Sequence, residues 1–579
     1  MKFKLQYTIS VVLLIAGFQF SAAQKKGETI GSEVVNVVKP YTPTISDAFK
    51  VKETPSLDDD ETMQKEDIKY NIFSFPVAST FAPAKGRAAG VDKTERETLF
   101  KNYLTLGIGN YGNAQAELFI VEEVGESGYF GGMLRHSSTQ GGVEDVVLDD
   151  KFMNTSLDLT YGLKQNTFSW TTDAGYQHQI YNWYGIDQEH FQSPTFSFND
   201  IDPQHTFHNA YIGSKISFHD SFFKEASVKA SHFWDSYDSA ENRFVVKPSF
   251  DFDIAATNIR ANFIVDYVGG TFEKNYLGTA PASYGYANFG VHPSFTIVRN
   301  DWSIDLGAAA FYSMDVENSD GDVFVYPQVK ASLNVVGDLM IFYAGAEGTL
   351  EQNSYKEFAD QNPFISPYVS IAPTDRQYDV FAGLKGKLAN SVSYNLKASY
   401  MNEQNRALFK NNPFPTTRNA IYEGYEYGNS FGIVYDQMTT LSFYGELKAD
   451  FSKTVAFGIN GTFASYNTDL QAEAWNLPEL RVSSSLDVNI TKKWYAGANV
   501  FFVGERSDYL DLALIAGNSR IVKLDPYFDA NLHVGYQHNE RFSGFLKFNN
   551  IANQAYEKWI NYPVQQFQVM LGANYKFDF

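Results

Sequence analysis

The sequence predicts an all-β fold: a transmembrane antiparallel up-and-down β-barrel of about 22 strands, preceded by an extended N-terminal segment that is periplasmic or luminal. Three observations predict it. Apolar and polar residues alternate with period 2 from about residue 100 onward. Short turns and long loops take turns along that stretch. The last strand keeps one apolar face up to Phe579.

The alternation is plain in several places. Between 391 and 400, Val392, Tyr394, Leu396, Ala398 and Tyr400 alternate with Ser391, Ser393, Asn395, Lys397 and Ser399. Val482, Leu486, Val488 and Ile490 face away from Arg481, Ser483, Ser485, Asp487 and Asn489, and Phe528, Ala530, Leu532, Val534 and Tyr536 face away from Asp529, Asn531, His533 and Gln537. Such strands have one apolar and one polar wall. In a soluble sandwich the polar wall meets bulk water; in a membrane barrel it lines the lumen.

Tight turns fall near Lys164-Gln165-Asn166, Ala256-Thr257-Asn258, Arg299-Asn300-Asp301, Gly337-Asp338, Ala389-Asn390-Ser391, Ser452-Lys453, Thr491-Lys492-Lys493 and His538-Asn539-Glu540. Long loops occupy roughly 183–205, 273–282, 352–374, 405–428 and 505–520. Short turns on one rim and long loops on the other are the asymmetry of outer-membrane barrels. Trp302 and Trp494 directly follow short turns, where an interfacial aromatic girdle would lie. The even count depends on reading Phe431 to Phe451 as one long strand. The strongest competitor is a β-propeller, because two-strand units repeat at several tens of residues. No blade signature repeats, however. Phe567, Val569, Leu571, Ala573, Tyr575, Phe577 and Phe579 form a lipid-like stripe suited to sealing a cylinder and to signalling to the insertion machinery.

Composition agrees. The 579 residues include 49 Phe and 37 Tyr, yet the only long apolar stretch lies near residues 9–20, short of the roughly 18 residues a membrane helix needs. Lys2 and Lys4, the apolar run Ile9 to Gly17 and the small residues Ser21-Ala22-Ala23 read as a signal peptide, residues 1–23. There is no cysteine, so neither a disulfide nor a thiolate metal site is available. A net charge of −21 speaks against nucleic acid as a partner. Outer-membrane lipid and lipopolysaccharide are the expected surroundings.

A family resemblance enters near the C-terminus. Phe545-Leu546-Lys547-Phe548-Asn549-Asn550-Ile551-Ala552-Asn553-Gln554-Ala555-Tyr556-Glu557, then Asn561-Tyr562-Pro563 and the terminal strand, resembles the closing hairpin of TonB-dependent receptors. More loosely, the resemblance covers about 375–579, through Tyr444-Gly445-Glu446-Leu447 and Tyr495-Ala496-Gly497-Ala498. It implies an outer-membrane barrel engaged in solute uptake or binding, not an enzyme, with no cofactor. The departure is the plug. The resemblance implies a plug domain of well over a hundred residues, whereas residues 24–98 read as extended linker or a reduced plug, ahead of a barrel at 99–579. Within them Ile68 to Phe81 has the apolar bulk of a partial plug. Glu33, Val34, Val35, Asn36, Val37 and Val38 resemble the extended peptide that engages TonB by strand pairing.

Something must fill so wide a lumen: the 24–98 segment, inward-folded loops, or a partner protein. The loop aromatics are the candidate ligand contacts: Trp183, Tyr184, His190, Phe191, Phe196 and Phe198 in one loop, Tyr355, Phe358, Phe364 and Tyr368 in a second, and Phe409, Phe414, Tyr422, Tyr425 and Tyr427 in a third. The alternative is that they pack on one another and close the barrel mouth. Asp315 to Asp322 reads as an acidic turn, not a calcium loop, because Val316 occupies a ligand position. His136 and Ser138 share a strand face as in outer-membrane phospholipases, with no third group identifiable. His205 and His208 point to opposite faces and cannot pair on a metal. Three functions stand at this point: transport as a plug-reduced relative of TonB-dependent receptors, with TonB as partner; an accessory barrel within a larger outer-membrane protein complex; and, a remote third, an outer-membrane enzyme.

Overall fold

The computed structural model describes residues 100–579 apart from 189–196, 255–256, 277–279, 415–421, 453 and 513–517. The signal peptide, the 24–98 segment with Ile68 to Phe81, and the TonB-box-like Glu33, Val34, Val35 and Val37 lie outside the described residues.

Twenty-two antiparallel strands form one closed sheet. They are numbered here in chain order. β1 (Asn102–Gly109) begins where the alternation begins, and it closes the cylinder by pairing with the last barrel strand, Gln568–Phe577. The register runs from Asn102 opposite Phe577 to Gly109 opposite Met570. The expected long strand holds as a single element, β16 (Phe431–Ser452).

The two walls follow from the alternation. Leu396, Tyr400, Leu441, Phe443, Leu571 and Tyr575 are exposed on the outside, Leu571 by 60%. An exposed apolar band of this kind around a closed barrel is a lipid-facing surface. The inner wall is polar, with cross-strand ion pairs such as Arg135–Asp158 at 2.8 Å, Lys215–Glu225 at 2.8 Å and Lys330–Glu347 at 2.7 Å. Trp302 and Trp494 sit at strand starts beside short turns, the Trp494 ring tilted against Tyr536 at 4.9 Å. The barrel is thus of the outer-membrane type.

Short turns do share one rim, and the long loops share the other. Two expectations about loops change. β15 (Val392–Asn411) runs past residue 405, where a loop was expected to begin. There the strand rises above the lipid band and both faces are covered. Phe409 packs with the 352–373 loop, and Leu408 packs with Met438 and Trp475. With two apolar faces the period-2 signal fades. The 505–520 loop holds a hairpin, Arg506–Leu512 with Asn518–Leu524. The interior is therefore polar below and aromatic at the outer mouth.

A charge on the lipid face should cost far more than one in the lumen. On β6 (Gln204–Phe218), Ile212 points outward near mid-membrane, whereas Gln177 on β5 (Phe168–Asn182) points inward. Ile212→Lys is expected to lower barrel stability by about 2–4 kcal/mol in urea unfolding from lipid vesicles, and Gln177→Lys by well under half of that.

Candidate functional site

The outer mouth is where the loops converge, and one loop dominates it. Residues 352–373 leave the barrel wall and carry a short helix, α1 (Tyr355–Gln361), capped by Ser354, whose Oγ accepts from Glu357 N at 3.2 Å. α1 turns inward because three of its residues, Tyr355, Phe358 and Ala359, are apolar on one side and buried. They pack on luminal residues of three strands: Phe207 on β6, Phe233 on β7 (Phe223–Asp235), and Val268 and Phe272 on β9 (Thr257–Phe272). Farther along, Ser366 N donates to Phe431 O at 2.8 Å and Phe431 N donates to Phe364 O at 3.1 Å. The loop therefore ties the β6–β9 wall to β16.

Buried charges clasp this loop. Asp235, at the end of β7, accepts from Tyr237 N and Ser239 N at 2.9 Å, from Tyr355 Oη at 2.7 Å and from His205 Nε2 at 3.2 Å. Glu241, on β8 (Ala240–Ile254), accepts from Tyr284 Oη and Tyr355 N at 2.6 Å and from Lys356 N at 3.3 Å. Such multiple donors are what allow a carboxylate to be buried. Arg243 forks onto Asp266 at 2.9 and 2.8 Å and reaches Glu357 of α1 at 2.7 Å. Burial first, and then the Asp235 carboxylate, push the Tyr355 hydroxyl well above its usual range. Tyr355 is thus a neutral hydrogen-bond donor to a buried carboxylate.

Three further loops close over the first. Phe364 stacks on Tyr562 at 3.7 Å, and Tyr562 donates to Asn429 O. Tyr184 donates to Pro563 O at 2.9 Å and lies 4.8 Å from Tyr562. Trp183 is fully buried, stacked 4.2 Å from His205 and 5.4 Å from Tyr425. Tyr368 rests on Phe272, and Tyr422 on Phe414. Glycines permit the close approach: a Cβ on Gly424 would overlap the Asp202 carbonyl oxygen, and one on Gly185 would meet the Tyr562 ring.

Of the candidate ligand contacts, Trp183, Tyr184, Tyr355, Phe358, Phe364, Tyr368 and Tyr425 meet in this cap; Tyr422 joins Tyr427 and Phe414 beside it. Phe191 lies outside the described residues. The residues that hold the cap, Asp235, Glu241, Arg243 and Tyr562, were missed, because in sequence the first three read as ordinary luminal positions. The terminal residues Phe567, Val569, Leu571, Tyr575, Phe577 and Phe579 lie far from the cap in function: they belong to the closing strand and its flanks. On the outer wall His136 Nε2 is 3.0 Å from Ser138 Oγ, and its Nδ1 is 2.8 Å from Thr155 Oγ1 of the neighbouring strand. Asp315 serves as a turn cap for Glu317 N and Asn318 N.

No protein-family profile and no curated protein matches the chain. Solved structures do. The ferripyoverdine receptor of the outer membrane of Pseudomonas aeruginosa aligns at 12% identity and TM-score 0.59, covering 83% of this chain and 72% of its own. The ferric-catecholate import receptor Fiu from K12 E. coli aligns at 10% and 0.60, covering 83% and 82%. The FrpB iron transporter from Neisseria meningitidis aligns at 10% and 0.62, again covering 83% and 82%. At such identities the likeness is one of fold: the chain shares a closed 22-strand β-barrel architecture with those receptors.

Removing one clasp bond should loosen the cap without unfolding the barrel. Tyr355→Phe is expected to weaken it by about 1–2 kcal/mol and to raise amide hydrogen exchange in 354–361 roughly tenfold, with strand amides unchanged. A second expectation concerns pH. In the outer hairpin, burial holds the Asp508 carboxyl up at about 6, against hydrogen bonds from Asn476, Tyr509 N and Asn411 N. A raised acid favours folding while protonated, so this contribution is whole below the unfolded value near 4 and is lost as pH rises through 6. Exchange within 506–524, corrected for intrinsic rates, should therefore be slower at pH 4.5 than at pH 7. Asp508→Asn should flatten that difference.

Proposed function

We propose that this chain is an outer-membrane uptake receptor whose external mouth is shut by its own loops, and that solute passes when 352–373 lifts. The observation that carries the reading is the clasp: a loop spanning the mouth of a 22-strand barrel, held by Asp235, Glu241 and Arg243 through bonds that can break singly. Orphaned donors support it. Trp183 Nε1, Asn362 Nδ2 and Trp559 Nε1 are buried in the cap without an acceptor among the described residues. Each such group costs about 1–3 kcal/mol, so the shut state stores free energy that an arriving ligand with acceptor oxygens would release. The aromatic faces of Trp183, Tyr184, Phe364 and Tyr425 would then line the entry. Structures of the same fold are described as a ferripyoverdine receptor, a ferric-catecholate import receptor and an iron transporter, and that likeness supports uptake as the task. In this reading Glu33, Val34, Val35 and Val37 pair with TonB.

The sealed mouth also favours a second reading, an accessory barrel covered by a partner protein. Planar bilayers separate the two. For a receptor, the full chain should be silent, and removal of 355–361 combined with removal of 24–98 should give ion steps of a wide pore. If that doubly trimmed barrel stays silent while the full chain co-purifies stoichiometrically with another outer-membrane protein, the receptor reading fails.

A further inference from the structure

Sequence reasoning separated His205 from His208 and expected no metal. The structure finds each its own partner on opposite sides of the wall. His205 points inward to Asp235; His208 points outward and stands directly opposite His178 of β5. The pair belongs to a row of outward residues, one per strand: His136, Thr155, His178, His208 and Trp234 are successive cross-strand partners. Of the ten histidines, His136, His178, His208 and His232 all lie on this part of the outer face. From Phe168 at the short-turn rim to His178 is ten residue steps along β5, about 33 Å of strand and about 25 Å of barrel height at a tilt near 40°. That is the full height of the apolar band, so the row lies at the headgroup boundary of the outer leaflet.

His178 Nδ1 and His208 Nδ1 converge to 3.3 Å, and the Tyr176 hydroxyl lies 2.7 Å from His208 Nδ1. An imidazole nitrogen offers one lone pair or one proton, so His208 Nδ1 cannot serve both neighbours. Two imidazole nitrogens bound at about 2.0–2.1 Å to one tetrahedral metal stand about 3.3–3.4 Å apart. We propose that His178 and His208 form a two-imidazole site for a borderline divalent transition metal, Cu(II), Zn(II) or Ni(II), on the outer wall at the membrane surface. Imidazole suits these ions rather than magnesium or calcium. A cation takes both lone pairs and frees the Tyr176 hydroxyl from the contest, with water in the remaining positions. The net charge of −21 raises the local concentration of cations. Among the described residues no third His, Cys, Asp or Glu joins the pair, so the site is an exchangeable one rather than a closed structural centre.

The test uses the full chain, without a polyhistidine tag, in detergent and stripped of metal. Cu(II) titration followed by calorimetry and electron paramagnetic resonance should show one equivalent with nitrogen hyperfine structure. His208→Gln and, independently, His178→Gln should each weaken binding at least about tenfold, as loss of a metal-site partner does. His232→Gln, on the same face but bonded to Asn242, should bind as the parent does. A folded barrel is confirmed by its heat-modifiable migration, and two independent variants guard against one failing to fold. Absence of a stoichiometric site in the parent, or its survival in both the His178 and His208 variants, overturns the proposal.

Discussion

Hydrocarbon offers backbone amides and carbonyls nothing to bond with, and every other feature of this chain follows from that constraint. A sheet in lipid can have no free edge, so the first strand has to find the last. Here Asn102–Gly109 meets Gln568–Phe577 over their whole common length. Closure with an even number of strands brings both ends of the barrel to one rim, and the hairpins then sort themselves into short turns on that rim and long connections on the other. Closure also sets the walls. With side chains alternating at period 2, the outward set has to be apolar and the inward set is free to be polar. Charge pairs such as Arg135–Asp158 and Lys330–Glu347 occupy that inner wall without touching lipid.

A cylinder of this width creates its own difficulty, because side chains alone do not fill it. At the outer end the chain answers with loops. The 352–373 loop is apolar enough to pack on Phe207, Phe233 and Phe272, but apolar packing alone would give a fixed stopper. Its polar anchors make a different object. Asp235 and Glu241 are buried carboxylates whose desolvation is offset only while Tyr355, Lys356 and their own-strand neighbours donate to them. When the loop leaves, water can replace those donors, so the net difference between shut and open is small compared with the gross interaction. That is the energetic profile which the proposed gate requires.

The barrel was legible because alternation, turn chemistry and the terminal stripe all point the same way. Even the 22-residue strand from Phe431 and the start near Asn102 could be read. The top of β15 could not: where Leu408 is buried on one face and Phe409 half-buried on the other, the polar half of the pattern disappears. In the cap, the class of residue was legible and the partners were not. Tyr355 meets Asp235 across 120 residues and Glu241 across 114. An acidic residue on a luminal wall looks the same in sequence whether it faces water or a helix. His178 and His208 were hidden similarly, since a pairing between strands leaves no spacing to recognise.

The same logic says where individuality can reside in such a protein. The wall demands little beyond alternation, which is why barrels that superpose over most of their length share so few residues. Selective pressure on chemistry is then pushed to places the alternation does not govern. One is the mouth, where loops meet and glycines such as Gly424 allow backbones to touch. Another is the boundary where lipid ends, where a polar side chain on the outer face no longer has to be apolar and has no water-filled lumen to hide in. The imidazole row sits at that boundary with its polar groups facing one another, His136 bonded to Thr155 and His208 Nδ1 contested between the Tyr176 hydroxyl and His178. Mutual bonding lowers the cost of placing polar rings beside hydrocarbon, and it also brings their nitrogens together. An arrangement that solves a solvation problem thereby assembles a donor set, and recognition chemistry at a membrane surface needs no more than that to begin.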